Sequence, residues 1–221
     1  MNEFSDVVAS QPLRHDLAPA FDPTRLCLPH KSALWMAGYK DDGEVVCTQA
    51  MKLLDLNGLN LQDYLSEHIW EIHPYGFDPD VSEARCFLSD DSRNINGDVT
   101  YHGELWLKGG PDGIRGGSIA VLLTRLILLE SLLRWSPDFL IGLQSPITAC
   151  RGLSIKEGYM RLEQRSVVWY KETSGELLEG WLVWMTGKEA GFNLRIPASL
   201  FLEMLGPNKL VETQLDSAQV A

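Results

Sequence analysis

The spacing of apolar positions changes several times along the chain, and each change marks an element. Residues 32–39 and 44–54 are two apolar runs of strand character separated by Lys40-Asp41-Asp42-Gly43. A turn ending in Asp-Gly supplies the positive φ that a tight connection needs, so the pair predicts a β-hairpin. Between 59 and 72 the period lengthens. Leu61, Tyr64, Leu65, Ile69 and Ile72 fall at helical intervals, and Pro74 closes the segment. Turn-rich FDPD and FLSDD bracket a short strand over 82–88, and residues 99–108 again have strand character. Gly109-Gly110-Pro111-Asp112-Gly113 is the sharpest loop signal in the chain.

A long helix follows over about 117–135, its apolar run interrupted by Arg125, Glu130 and Arg134. After Ser136-Pro137-Asp138, residues 139–143 are wholly apolar, which suits a central buried strand. A helix around 148–156 leads to strands over 159–170 and 177–185, joined by Glu172-Thr173-Ser174-Gly175 as a second hairpin. The chain closes with a short helix over 198–205 and a tail over 206–221. At the other end Pro12, Pro19, Pro23 and Pro29 break any long helix, so residues 1–32 read as an extended amino-terminal arm. The order implies one α+β domain over 33–205. Its sheet is mixed and mostly antiparallel, flanked by helices, and built around one strand–loop–helix–strand unit.

Composition adds boundaries to that picture. With 221 residues, 45% hydrophobic and 22% charged, the chain is ordinary globular material long enough for a sizeable core. Its net charge of −11 repels polyanions, which argues against a nucleic-acid partner. The charge is uneven: residues 1–107 carry seven basic and eighteen acidic side chains, 108–165 eight and five, and 166–221 four and seven. An anionic ligand therefore fits best against the middle third. The apolar run 119–135 is too short and too interrupted for a membrane span, which needs ~20 predominantly apolar residues. Four dispersed cysteines without a CxxC pair, and no secretory leader, point to reduced thiols and a cytoplasmic protein. His68 and His73 are five apart, the wrong spacing for two metal ligands on one helix face, so no metal site is expected.

The candidate chemistry lies in Arg115-Gly116-Gly117-Ser118-Ile119-Ala120, between a strand and a helix start. Small residues let the backbone approach a ligand there, and the first-turn N–H groups present the positive end of the helix dipole. The segment lacks the Gly-Lys-Ser/Thr of a nucleoside-triphosphate loop, and it is not GxGxxG. It resembles the pyrophosphate-binding motif of the GNAT acyltransferase superfamily, R/Q-x-x-G-x-G/A, with Arg115 first, Ala120 last and Ser118 where the central glycine is usual. The surrounding element order and Gly158-Tyr159, similar to the superfamily's Gly-Phe, extend the resemblance over about residues 33–186. Upstream, AFDPTR, ALWMAGYKDDGEVVCTQAM and VSEARCFL resemble the first half of acyl-homoserine-lactone and N-acyl amino acid synthases, a branch of that superfamily. Asp22 matches the branch's acidic position, whereas Glu83-x-Arg85 stands in place of Glu-x-x-Arg.

The resemblance implies a GNAT-like sheet splayed at the strand–glycine loop–helix–strand unit. It implies transfer of an acyl group from a pantetheine thioester to a small-molecule amine. No covalently bound cofactor is implied, and acyl-CoA or acyl carrier protein is the co-substrate. By the same resemblance the strand end near Leu107 supplies an oxyanion donor, Arg115 to Ala120 hold the pyrophosphate, and Glu104, then Glu83, are candidate bases. The superfamily's general-acid tyrosine is replaced by Ser154, leaving Tyr159 or Tyr170 as substitutes. Two alternatives stand beside this reading: a non-catalytic GNAT-like acyl-CoA-binding module, and an unrelated thioesterase-like α+β protein. Arg125, among Val121, Leu122, Leu128, Leu129 and Leu132 on the helical wheel, needs a partner, and a carboxylate is expected.

Overall fold

The computed structural model of the chain describes residues 1–11, 15–110, 113–115, 119–197, 199, 200 and 203. In chain order the elements are α1 (Asn2–Ala9), β1 (Ala33–Tyr39), β2 (Val45–Leu54), α2 (Leu61–Glu67), β3 (Arg85–Cys86), α3 (Asp90–Arg93), β4 (Val99–Leu107), α4 (Ile119–Trp135), β5 (Phe139–Gln144), α5 (Pro146–Cys150), α6 (Leu153–Glu157), β6 (Arg161–Tyr170), β7 (Leu177–Thr186) and α7 (Gly187–Leu194). The seven strands form one sheet in the order β1-β2-β4-β5-β7-β6-β3. Every pairing is antiparallel except β4 with β5. The apolar run 139–143 does occupy the centre, as β5, with Leu140 and Ile141 fully buried.

Alternation along the strands divides the core between the two sheet faces. Val99, Tyr101, Ile141, Leu182 and Trp184 pack towards α1 and α2. Leu140, Val183 and Met185 meet Ile127 and Leu128 of α4 and Ala190 of α7 on the other face. There Ser131 Oγ of α4 lies 3.4 Å from Thr100 Oγ1. No helix among the described residues is long and apolar enough to cross a membrane.

Several expectations need correction. The region expected as an extended arm begins with helix α1, because Phe4 and Val8 make a buried i, i+4 stripe ahead of the first proline. Phe4 stacks on Trp35 at 5.2 Å between ring centroids, and Phe21 stacks on Tyr101 at 5.6 Å. The helix expected over 148–156 is two short ones, since Gly152 sits at φ +73° between α5 and α6. Helix α2 is only seven residues, and Ile69 and Ile72 are buried from the turns that follow it. Of the helix expected over 198–205, Ser199, Leu200 and Glu203 are helical and the other positions lie outside the described residues, as does the expected tail.

Helix α7 has weak apolar patterning but a legible start. Thr186 and Glu189 form a reciprocal capping box. Glu189 also accepts both arms of Arg161, at 2.6 and 2.9 Å, tying α7 to β6. The Arg161 hydrogen bonds, helped by Thr186, pull the Glu189 carboxyl down to about 2. A folded-state value below the unfolded one means that this stabilisation is complete above pH ~5 and is lost as pH falls towards 2. The pair is partly exposed, so its worth is at most ~1 kcal/mol. Urea unfolding of wild type and Glu189→Gln at pH 6, 4 and 2.5 is expected to show a stability gap that narrows with acid; a constant gap would contradict the assignment.

Candidate active site

The parallel joint is short. Residues 99–102 lie opposite 139–142, and there the pairing of β4 with β5 ends. Beyond it β4 follows β2 until Leu107 faces Cys47, while β5 follows β7 until Gln144 faces Trp181. A bulge sends β4 away: Thr48 faces Trp106 while Ala50 faces Gly103, so β4 carries one extra residue, and Glu104 adopts φ +58°. Glycine is required at 103, because a Cβ there would collide with the Phe21 ring. The result is a cleft in which the β5-facing edge of residues 103–107 has no strand partner among the described residues.

The cleft opens on both faces of the sheet. Towards α5 and α6 lies a cavity of about 250 Å³, walled by His102, Leu153, Glu157 and Tyr159. Towards the amino-terminal segment lies one of about 340 Å³, walled by Phe21, His73, Tyr75, Trp106 and Trp169. Gly103, Glu104, Leu105, Leu143, Gln144 and Ser145 line both, so the two cavities meet where the strands part.

The structure gathers some of the sequence-derived candidates and separates others. Glu104 stands at the junction, its Oε1 accepting the Ala18 N–H at 2.8 Å. Tyr159 is on the helix-side wall, its hydroxyl 3.1 Å from His102 Nδ1. Glu83 is elsewhere: exposed, next to edge strand β3, 4.0 Å from Arg85 Nη2, and lining neither cavity. Leu107 ends β4, and its carbonyl accepts Arg115 Nε at 3.0 Å while the Arg115 N–H donates to Lys108 O. Arg115 thus latches the glycine loop to the strand. Ile119 and Ala120 open α4; Gly116, Gly117 and Ser118 lie outside the described residues. Among the basic side chains downstream of α4, Arg161 and Arg165 are engaged by Glu189 and Glu179, whereas Arg151 and Lys156 are exposed. Arg125 Nη2 donates to the carbonyls of Leu194 (3.3 Å) and Ile196 (2.7 Å) at the end of α7.

Three polar residues at the cleft were missed by sequence reasoning. Glu157, only 3% exposed, accepts Gln144 Nε2 at 2.7 Å, and burial pushes its carboxyl up to about 8. That bond commits the Gln144 amide, and Gln144 Oε1 has no hydrogen-bond partner among the described residues. His102 is buried, its pKa pushed down to about 4 by desolvation, and its Nε2 likewise lacks a partner there. A neutral ring with an empty Nε2 is best satisfied when Nδ1–H donates to Tyr159, because an orphaned lone pair costs less than an orphaned N–H. The Tyr159 hydroxyl then accepts from His102 and keeps its own proton to donate elsewhere. Burial raises the Tyr159 hydroxyl well above its ordinary value, so it keeps that proton. The signals were present: His102 shares the alternation of Thr100, and Glu157 immediately precedes Gly158-Tyr159. Among the described residues no group of three His, Cys, Asp or Glu side chains is placed to hold a metal.

Neither a protein-family model nor a curated protein matches this sequence. Among solved structures, the chain is similar to FeeM, an N-acyl amino acid synthase from uncultured soil microbes. The match has 11% identity and a TM-score of 0.44, and covers 72% of this chain and 75% of that one.

Proposed function

We propose that the protein transfers an acyl group from a pantetheine thioester to an amine. The observation that carries this reading is the cleft itself: β4 and β5 part beyond His102 and Gly142, and cavities from opposite faces meet there. A thioester lying along the free edge of 103–107 has backbone N–H groups beside its carbonyl, the arrangement that stabilises a developing oxyanion. Arg115 and the start of α4 lie at the end of the same strand, where an anionic donor, acyl-CoA or acyl carrier protein, would place its phosphates. The amine enters from the other face. Asp16, Glu104 and Glu179 contribute carboxylates to that wall, which favours a cationic acceptor. Glu104, at the junction, is the base that makes the amine neutral for attack. The Tyr159 hydroxyl, on the wall of the helix-side cavity, hydrogen-bonds the departing sulfur in this reading. Four free cysteines suit the reducing cytoplasm in which such thioesters are used.

Mass spectrometry after incubating the protein with a panel of acyl-CoAs and amines tests the reading. An acylated amine and free CoA are expected, with Arg115→Ala weakening use of the donor. Thioester binding without turnover would leave only a binding module, and neither binding nor consumption would overturn acyl transfer altogether.

A further inference from the structure

The cleft holds a second carboxyl that the reading above leaves idle. Glu157 ends α6 and lines the helix-side cavity together with Glu104, so two carboxyl groups face the space in which the thioester would lie. We propose that the Glu157 carboxylic acid donates the proton taken up by the departing thiolate. This rests on the acyl-transfer reading and assigns the proton source within it.

The groups facing Glu157 from each packed element leave it without a counter-charge. Gln144 on β5 donates one amide hydrogen bond to Oε2. His102 on β4 is neutral, and Tyr159, on the turn into β6, keeps its proton. Arg125 of α4 shares a neighbouring 160 Å³ cavity with Glu157. Its Nη2 donates to the Leu194 and Ile196 carbonyls at the end of α7, and no ion pair between it and Glu157 is present among the described residues. An unpaired carboxylate in so dry a place is costly, so the group stays protonated at neutral pH. With Gln144 bonded to Oε2, Oε1 carries the hydrogen.

The chemistry then balances. Glu104 first takes one proton from the ammonium and passes it to solvent. The neutral amine nitrogen then forms a bond to the thioester carbon, its second proton passes to Glu104, and the oxyanion collapses with cleavage of the C–S bond. The sulfur takes the Glu157 proton and leaves as a thiol. Solvent returns one proton to Glu157 and removes one from Glu104. The burial-raised value of about 8 matches an ordinary thiol near 8.5, the condition for effective proton transfer, whereas the Tyr159 hydroxyl is too weak an acid. A donor must be protonated, so wild-type turnover falls as pH rises through about 8.

The test compares two donors with the same acyl chain: acyl-CoA, whose thiolate benefits from a proton, and a 4-nitrothiophenyl ester, whose thiolate does not. Glu157→Gln is expected to lose about 10²-fold in kcat with acyl-CoA and less than about threefold with the aryl ester. In the wild type, the alkyl-to-aryl rate ratio is expected to fall above pH 8, a readout that does not depend on the variant folding. Equal losses with both donors, no loss with either, or a pH-independent ratio would overturn the proposal and leave acyl transfer standing. No turnover of any thioester by the wild type would overturn both.

Discussion

Glu104→Gln is expected to lower kcat/KM for aminolysis of an acyl thioester by about 10² to 10⁴-fold, the usual contribution of a positioned general base. The substitution is nearly isosteric. The amide oxygen can still accept the Ala18 N–H, so the segment that lines the amino-terminal cavity keeps its anchor. Binding of the thioester is expected to persist, because the free edge of β4 does not depend on the carboxylate. The decisive pattern is a large fall in kcat with an unchanged KM for the donor. Steady-state kinetics with acyl-CoA varied at saturating amine measures it, and a thermal melt confirms that the fold is retained. Activity within threefold of wild type would remove Glu104 from the chemistry and leave its role as a latch for Ala18.

The second large effect is on stability. Lys52 of β2 and Glu71, just beyond α2, are each 6% exposed, and Nζ lies 3.4 Å from Oε2. Burial pulls the lysine pKa down, with the Glu71 charge opposing that pull. Glu71→Ala is expected to cost about 3–5 kcal/mol, because it strands a desolvated ammonium without its counter-charge. For a domain of this size that lowers Tm by roughly 6–20 °C. The double replacement Lys52→Met with Glu71→Leu is expected to recover most of the loss, since it removes both charges at similar volume. Calorimetry of the three proteins distinguishes the outcomes; a mild effect of Glu71→Ala would mean that water reaches the pair. The site also bears on the cleft, because residues 72–75 continue from Glu71 into the wall of the 340 Å³ cavity.

The parts of the structure legible in sequence were those fixed by local chemistry. The Asp42-Gly43 turn places β1 against β2, with Tyr39 facing Val45 and Gly43 at φ +86°. The unbroken apolar run of β5 announces its central position, and the glycine loop announces the passage from β4 to α4. The short helix α7 was hidden because two glycines and a lysine dilute its apolar face; only the Thr186 and Glu189 box betrays it. Helix α1 was hidden by attention to prolines that lie downstream of it. The structure sets Glu104 at the cleft, where its place late in β4 puts it. Glu157 and His102 were not legible, since their properties come from burial, which is decided by the packing of α6 against strands distant in sequence. Glu83 looked promising from its local motif, yet its place at the far edge depends on how β3 joins β6. That pairing has no local signature.

The joint between β4 and β5 has a mechanical side. The sheet consists of two antiparallel plates, β1-β2-β4 and β5-β7-β6-β3, whose backbone pairing with each other among the described residues is confined to 99–102 and 139–142. Each plate has its own long hairpin: β1 with β2 stiffens one, β6 with β7 the other. Changing the angle between the plates strains a seam four residues long and leaves both hairpins intact. The molecule is therefore divided like a clothes-peg, two plates about one short backbone seam, and mutations at the seam are expected to alter the width of the cleft more than the pairing within either plate.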